Sequence, residues 1–203
     1  MRAIPSLVAV TLSALLVVPA MAEPAKPDVN ALIKPDDIVL MRKAIETEIV
    51  RVSVNAQNER YANLAQDAID SLDQQWRKER EASDKPLIAA TLSNPLSVYL
   101  ARIQGRSLGL YAEIFVMDKN GLNVGQSSIT SDFSQGDEGK FQKTFDVGQD
   151  AVFIDEPEWD DDNKIWRGQV NFTLTDADGQ TPIGAVTMEV NLTELQRKRA
   201  TGS

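Results

Sequence analysis

The chain has 203 residues, a formal net charge of -9 from 30 acidic and 21 basic side chains, and neither His nor Cys. The missing residue types exclude Ser-His-Asp and Cys-His catalysis, His- or Cys-ligated metal sites and disulfides. The acidic surface repels phosphate backbones and anionic lipid, so nucleic acid is not an expected partner, while a hydrophobic fraction of 42% suits one folded domain.

Arg2 is the only charge before Glu23, the run from Ser6 to Val18 is apolar apart from Thr11 and Ser13, and Pro19 and Ala20-Met21-Ala22 follow. This is the layout of a secretory signal peptide over 1–22, with the mature chain starting at Glu23. The run is shorter than the roughly 20 residues a spanning helix needs, and no later stretch is apolar for long enough. The expected location is a bacterial periplasm, where a chain without Cys relies on its core alone.

Residues 23–35 hold three prolines and few apolar side chains, and are expected to form a disordered leader. Residues 36–83 lack Pro and Gly, and apolar side chains recur at helical spacing from Ile38, Met41, Ile45, Ile49 and Val52 to Ile69, Leu72 and Trp76. The spacing predicts a long helix over 36–85, with Asp36 or Asp37 as its cap and Lys85-Pro86 as its end. One continuous rod would exceed what a small domain can cover. Either it breaks near 55–63, or its first half pairs with another chain, which would make a homodimer through this helix. One or two short helices are expected over 86–109, interrupted by Asn94-Pro95.

From Tyr111 the period becomes strand-like. Tyr111–Met117 is a strand, Asp118-Lys119-Asn120-Gly121 a tight turn, and Leu122 to Gly125 the returning strand. Residues 130–145 carry Phe133, Phe141 and Phe145 and are read as a helix capped by Thr130 or Ser131. Ala151 to Asp155 is a third strand, 160–164 an acidic hairpin loop, and Ile165–Thr175 a fourth strand. In that strand Val170, Phe172 and Leu174 alternate with Gln169, Asn171 and Thr173. Asp176-Ala177-Asp178-Gly179 turns the chain into a fifth strand from Ile183 to Leu192, and Thr193 caps a basic tail helix. The order predicts an α+β fold: a long N-terminal helix packed on a five-stranded antiparallel sheet.

Two segments carry a resemblance. Phe115-Val116-Met117-Asp118-Lys119-Asn120-Gly121-Leu122-Asn123-Val124 and Thr175-Asp176-Ala177-Asp178-Gly179-Gln180-Thr181-Pro182-Ile183-Gly184-Ala185-Val186 resemble the hairpins of PAS-like extracytoplasmic sensor domains, the Cache or PDC family. Residues 130–140 are similar to a segment of its secreted members. The resemblance implies a PAS-like sheet backed by the long helix over 36–192, with residues 86–199 and that helix forming one sensor domain. Receptors of the group add a second membrane helix and an output domain after the sheet. Here the output is expected to pass through a separate protein, a membrane receptor or another envelope component.

The resemblance implies that ligands sit, as in single-domain members of the family, on the sheet face away from the long helix, beneath the segment between the second and third strands. By parity Arg167, Gln169, Asn171 and Thr173 face that side, and Val170, Phe172 and Leu174 face the helix. The candidate ligand-binding residues are therefore Asp132, Phe133, Lys140, Arg167, Gln169 and Asn171. An Arg beside amides suits a carboxylate or another small polar ligand, and a plain solvated face is the alternative. No cofactor is implied. The run Glu156, Glu158, Asp160, Asp161 and Asp162 lacks a calcium-loop pattern. The function expected is periplasmic small-molecule sensing without catalysis. The alternatives are an envelope assembly factor with a filled interior and, more remotely, a hydrolase using paired carboxylates.

Overall fold

The structure is a computed structural model and describes residues 24–202. The signal peptide expected over 1–22 lies outside the described residues. The helices are α1 (Val29–Leu32), α2 (Pro35–Ile45), α3 (Glu48–Arg60), α4 (Gln66–Glu81), α5 (Pro86–Leu92) and α6 (Pro95–Arg106). Then come β1 (Tyr111–Met117), β2 (Asn123–Gln126), α7 (Gly139–Gln142), β3 (Val152–Ile154), β4 (Glu158–Asp160), β5 (Ile165–Thr175), β6 (Pro182–Asn191) and α8 (Leu192–Thr201).

The helical stretch expected over 36–85 is three helices, with one break at 61–65, beside the alternative break at 55–63, and another, not expected, whose reason is visible in Ile45 and Val50. Five positions apart on one helix, they would point about 140° from each other. The break at Glu46-Thr47 turns both into one core, where Ile45 is 0% and Val50 1% exposed. Thr47 begins α3, and the freed carbonyl of Glu46 accepts from Arg51 at 3.2 Å. A second break at 61–65 sends α4 to a different core, built from Ile69, Trp76, Ile88, Leu122 and Phe133.

The leader is also corrected. Val29 and Ile33 are buried, α1 packs on α8, and the Trp166 indole N–H donates to the Pro24 carbonyl at 3.1 Å. These apolar residues anchor a segment whose prolines alone suggested no structure.

The sheet is antiparallel throughout, in the order β2-β1-β6-β5-β3, and β4 pairs with β5 beyond the end of β3. It has six strands rather than five because its outer strand is interrupted at 155–157, where Pro157 lacks an N–H. Asp155 N–H still reaches the Gln169 carbonyl at 2.9 Å.

The alternation in β5 divides the two faces. Val170, Phe172 and Leu174 join Ile114, Val116, Val186 and Met188 in one core with Met41, Ile45, Val50 and Val54. The Arg42 guanidinium lies 4.6 Å from the centroid of the Phe172 ring. On the other face Phe115, Met117 and Ala185 pack against Phe141, with Phe145 stacked on Phe141 at 5.0 Å.

The covering segment 130–145 is not the helix its Phe spacing suggested. Only Gly139–Gln142 is helical. The stretch before it is held by polar pegs instead. Trp76 donates to the Thr130 carbonyl at 3.0 Å, and the Asp73 carboxylate accepts from the N–H groups of Phe133 and Ser134 at 2.9 and 3.0 Å. Gly121, at φ +74°, lets the β1–β2 turn approach this segment: a Cβ there would stand 2.5 Å from the Gly136 Cα.

At the tail, Asn191 caps α8 by accepting from Glu194 N–H at 2.9 Å. Thr193, the expected cap, accepts instead from Trp166 N–H at 2.9 Å.

Candidate functional site

The polar face of the sheet and the covering segment enclose a cleft of about 650 Å³. Its floor is one lateral row across three strands. Glu113 on β1 is paired in register with Glu189 on β6, and Glu189 with Gln169 on β5, so all three side chains leave the same face. Arg167 and Tyr111 stand one step towards the open end. Lys140 of α7, Gln135 and Ser128 close the other side.

Two cations of the cleft, Arg167 and Lys140, are already paired with carboxylates. The Arg167 guanidinium donates to Glu189 at 2.8 Å and forms an ion pair with Asp160 of β4. Lys140 pairs with Glu138 at 2.9 Å, donates to Gln135 Oε1 at 3.1 Å and sits 5.4 Å from the centroid of the Phe115 ring. Asp160 also organises its own hairpin, accepting from the N–H groups of Asp162 and Asn163 at 3.0 Å each. The acidic loop thus uses its carboxylates on itself and on Arg167.

Glu113 is different. Its carboxylate accepts from the Ser128 hydroxyl at 2.7 Å. Burial pushes its pKa above the usual carboxylate range, and the neighbouring Glu189 charge pushes the same way. The Ser128 hydrogen bond, Arg167 and Lys140 oppose them. Two polar atoms of the cleft, Gln169 Oε1 and Arg167 Nε, are buried with no hydrogen-bond partner among the described residues. A buried polar group left unmet is costly, so an unmet pair at one cavity marks a place where a ligand or water is accommodated.

Of the six residues expected to bind, three line this cleft: Lys140, Arg167 and Gln169. Asn171 has the right parity and the wrong depth. It is fully buried, donates to the Phe153 carbonyl at 3.1 Å and accepts from the Thr187 hydroxyl at 2.7 Å. Asp132 points away, pairing with Arg77 of α4 at 2.9 Å. Phe133 is 2% exposed, with its ring 5.3 Å from that of Trp76. Both are displaced because 130–138 is irregular, so helical spacing from Lys140 does not apply. Sequence reasoning missed Glu113 and Glu189. Their signal was present: each is the sole charged residue of its strand.

No protein-family model matches the chain, and no curated protein is significantly similar to it. Among solved structures it is similar to sensory domains of chemoreceptors and histidine kinases. One is the ligand-binding domain of Campylobacter jejuni chemoreceptor Tlp3 in complex with 4-methylisoleucine, at 12% identity and TM-score 0.39, over 80% of this chain and 58% of that one. Another is the ligand-binding domain of the Pseudomonas aeruginosa PAO1 amino acid chemoreceptor PctC in complex with GABA, at 11% identity and TM-score 0.37, over 80% and 63%. The sensor domain of the V. cholerae histidine kinase DctB aligns at 13% identity and TM-score 0.33, over 71% and 58%. The chain spans less than two thirds of the length of these three structures.

Proposed function

We propose that this chain is a sensing domain of the bacterial cell envelope, exported by its N-terminal segment, that binds a small polar molecule in the cleft over Glu113, Glu189 and Gln169. No catalytic step is assigned to it. One observation carries the reading: a cleft of about 650 Å³ holds two buried polar atoms that the protein itself leaves without partners. A fold can host many tasks, so the support comes from this site and not from the shape of the sheet. Binding would draw the covering segment onto the sheet. That segment is pegged to α4 through Asp73 and Trp76, so a shift in it is felt by the helical layer, and from there by a partner protein of the envelope. Among the described residues no helix is long and apolar enough to cross a membrane.

The test is a thermal-shift screen of the purified protein against organic acids, amino acids, amines and alcohols. A true ligand at a hundredfold excess over its Kd stabilises by about 2–3 kcal/mol. The absence of a shift with every compound would return the chain to the reading of an assembly factor.

A further inference from the structure

We infer that the cleft selects a small primary amine in its ammonium form that also carries a neutral acceptor such as a hydroxyl, and rejects a carboxylate. This rests on the reading of the cleft as a ligand site and names the class of molecule it takes.

Arg167, the residue that would be expected to hold a carboxylate, has its two terminal nitrogens on Glu189 and Asp160. Lys140 is held by Glu138 and Gln135. Arg80, exposed at the rim, donates to the Ser131 carbonyl at 3.3 Å. At Arg167 or Lys140 an incoming carboxylate would have to displace a protein carboxylate and would then face Glu113 and Glu189 across the floor; Arg80 has no carboxylate partner among the described residues, but it stands exposed at the rim, where solvent screens its charge. Like charges in a partly dry site repel strongly.

An ammonium meets the opposite situation. Gln169 Oε1 is an acceptor without a donor, and it lies in the same row as two carboxylates. An ammonium brings three donors on one atom and can satisfy all three groups together. Glu113 has a neutral hydroxyl as its hydrogen-bond partner, so a cation there relieves the burial and repulsion acting on it. The remaining unmet atom is a donor, Arg167 Nε, whose charge two carboxylates already balance. A neutral hydroxyl accepts from it without adding negative charge.

The experiment is calorimetric titration of the full protein with four compounds of one chain length: 4-amino-1-butanol, 1,4-butanediol, 4-hydroxybutanoate and 4-aminobutanoate. The amino alcohol is expected to bind most tightly. Glu113→Gln should weaken it by about tenfold or more, the size of a hydrogen bond to a charged group. Gln169→Leu, which removes the unmet acceptor and leaves both carboxylates, should weaken it by about fivefold. Melting curves of both variants report that the fold is intact. Tighter binding of 4-hydroxybutanoate or 4-aminobutanoate overturns the inference, as does amine binding that ignores Glu113→Gln. A hit from acids alone in the broad screen overturns the amine class and leaves small-molecule binding standing. No hit of any class overturns both.

Discussion

The Arg167 guanidinium donates to the Glu189 carboxylate at 2.8 Å across the β5–β6 pair, which holds the floor of the cleft to its outer wall. The same guanidinium pairs with Asp160, so one side chain ties β4, β5 and β6 together.

Arg167→Met keeps an unbranched apolar stem and removes these bonds. The side chain is 31% exposed, so solvent softens the loss. Unfolding in urea should show a loss of about 1–2 kcal/mol. Pairing Arg167→Met with Glu189→Gln in a double-mutant cycle should return a coupling above about 0.5 kcal/mol. Additive effects would mean that the two charges act independently.

Glu113→Gln should stabilise the ligand-free protein at neutral pH. Burial raises the folded-state pKa of Glu113 above its ordinary value of 4.5. Between those two values the folded state holds a proton that the unfolded state has released, so stability falls as pH rises through that window. At neutral pH the charged group is a burden, and a neutral amide can still accept from Ser128. Melting temperatures of wild type and variant should differ at pH 7.5 and converge below pH 4.5. A variant that melts lower at pH 7.5 would contradict this account.

Phe133→Ala should cost about 3 kcal/mol in chemical denaturation, the cost of emptying a core aromatic position. Phe133 fills the space between Trp76 and the covering segment, and its ring has no surface towards the cleft. A loss under about 1 kcal/mol would place it outside the core.

Gly184→Ala and Gly105→Ala should act with opposite signs. A Cβ on Gly184 would stand 2.0 Å from the Met117 carbonyl oxygen, backbone that cannot move without parting β1 from β6. The expected loss is about 3 kcal/mol, measured by urea unfolding. Gly105 lies on the exposed side of α6 with nothing within 4 Å of such an atom. There Ala should gain about 0.5–1 kcal/mol.

Much of this architecture is legible in the sequence. The alternation around Phe172 names the face that meets the helices, and Asn120-Gly121 names the turn, because strand parity and positive φ are local properties. The break between Ile45 and Val50 is not local: it follows from the need of both to reach one core. Asn171 shows a further limit. Parity fixes which way a side chain leaves the sheet and says nothing of how deep the site lies. Here the 148–153 stretch covers it, as Asn171 donates to Phe153 and Thr173 to Gly148. The cleft is half visible, since parity places Arg167 and Gln169 on its side of the sheet. The carboxylates satisfying Arg167 come from β4 and β6, and only the paired sheet brings them together.

The interrupted outer strand has a consequence for how this protein lives among others. Its margin offers two three-residue pieces around Pro157, flanked by Asp155, Glu156 and Glu158. The opposite margin is occupied by its own chain, since Asn123 N–H donates to the Phe133 carbonyl and Gln135 N–H to that of Gly121. Among the described residues, neither border presents the long, flat ladder of free amides that a foreign strand could copy. A crowded compartment can therefore hold this molecule at high concentration without its sheet becoming a seed for fibrous stacking.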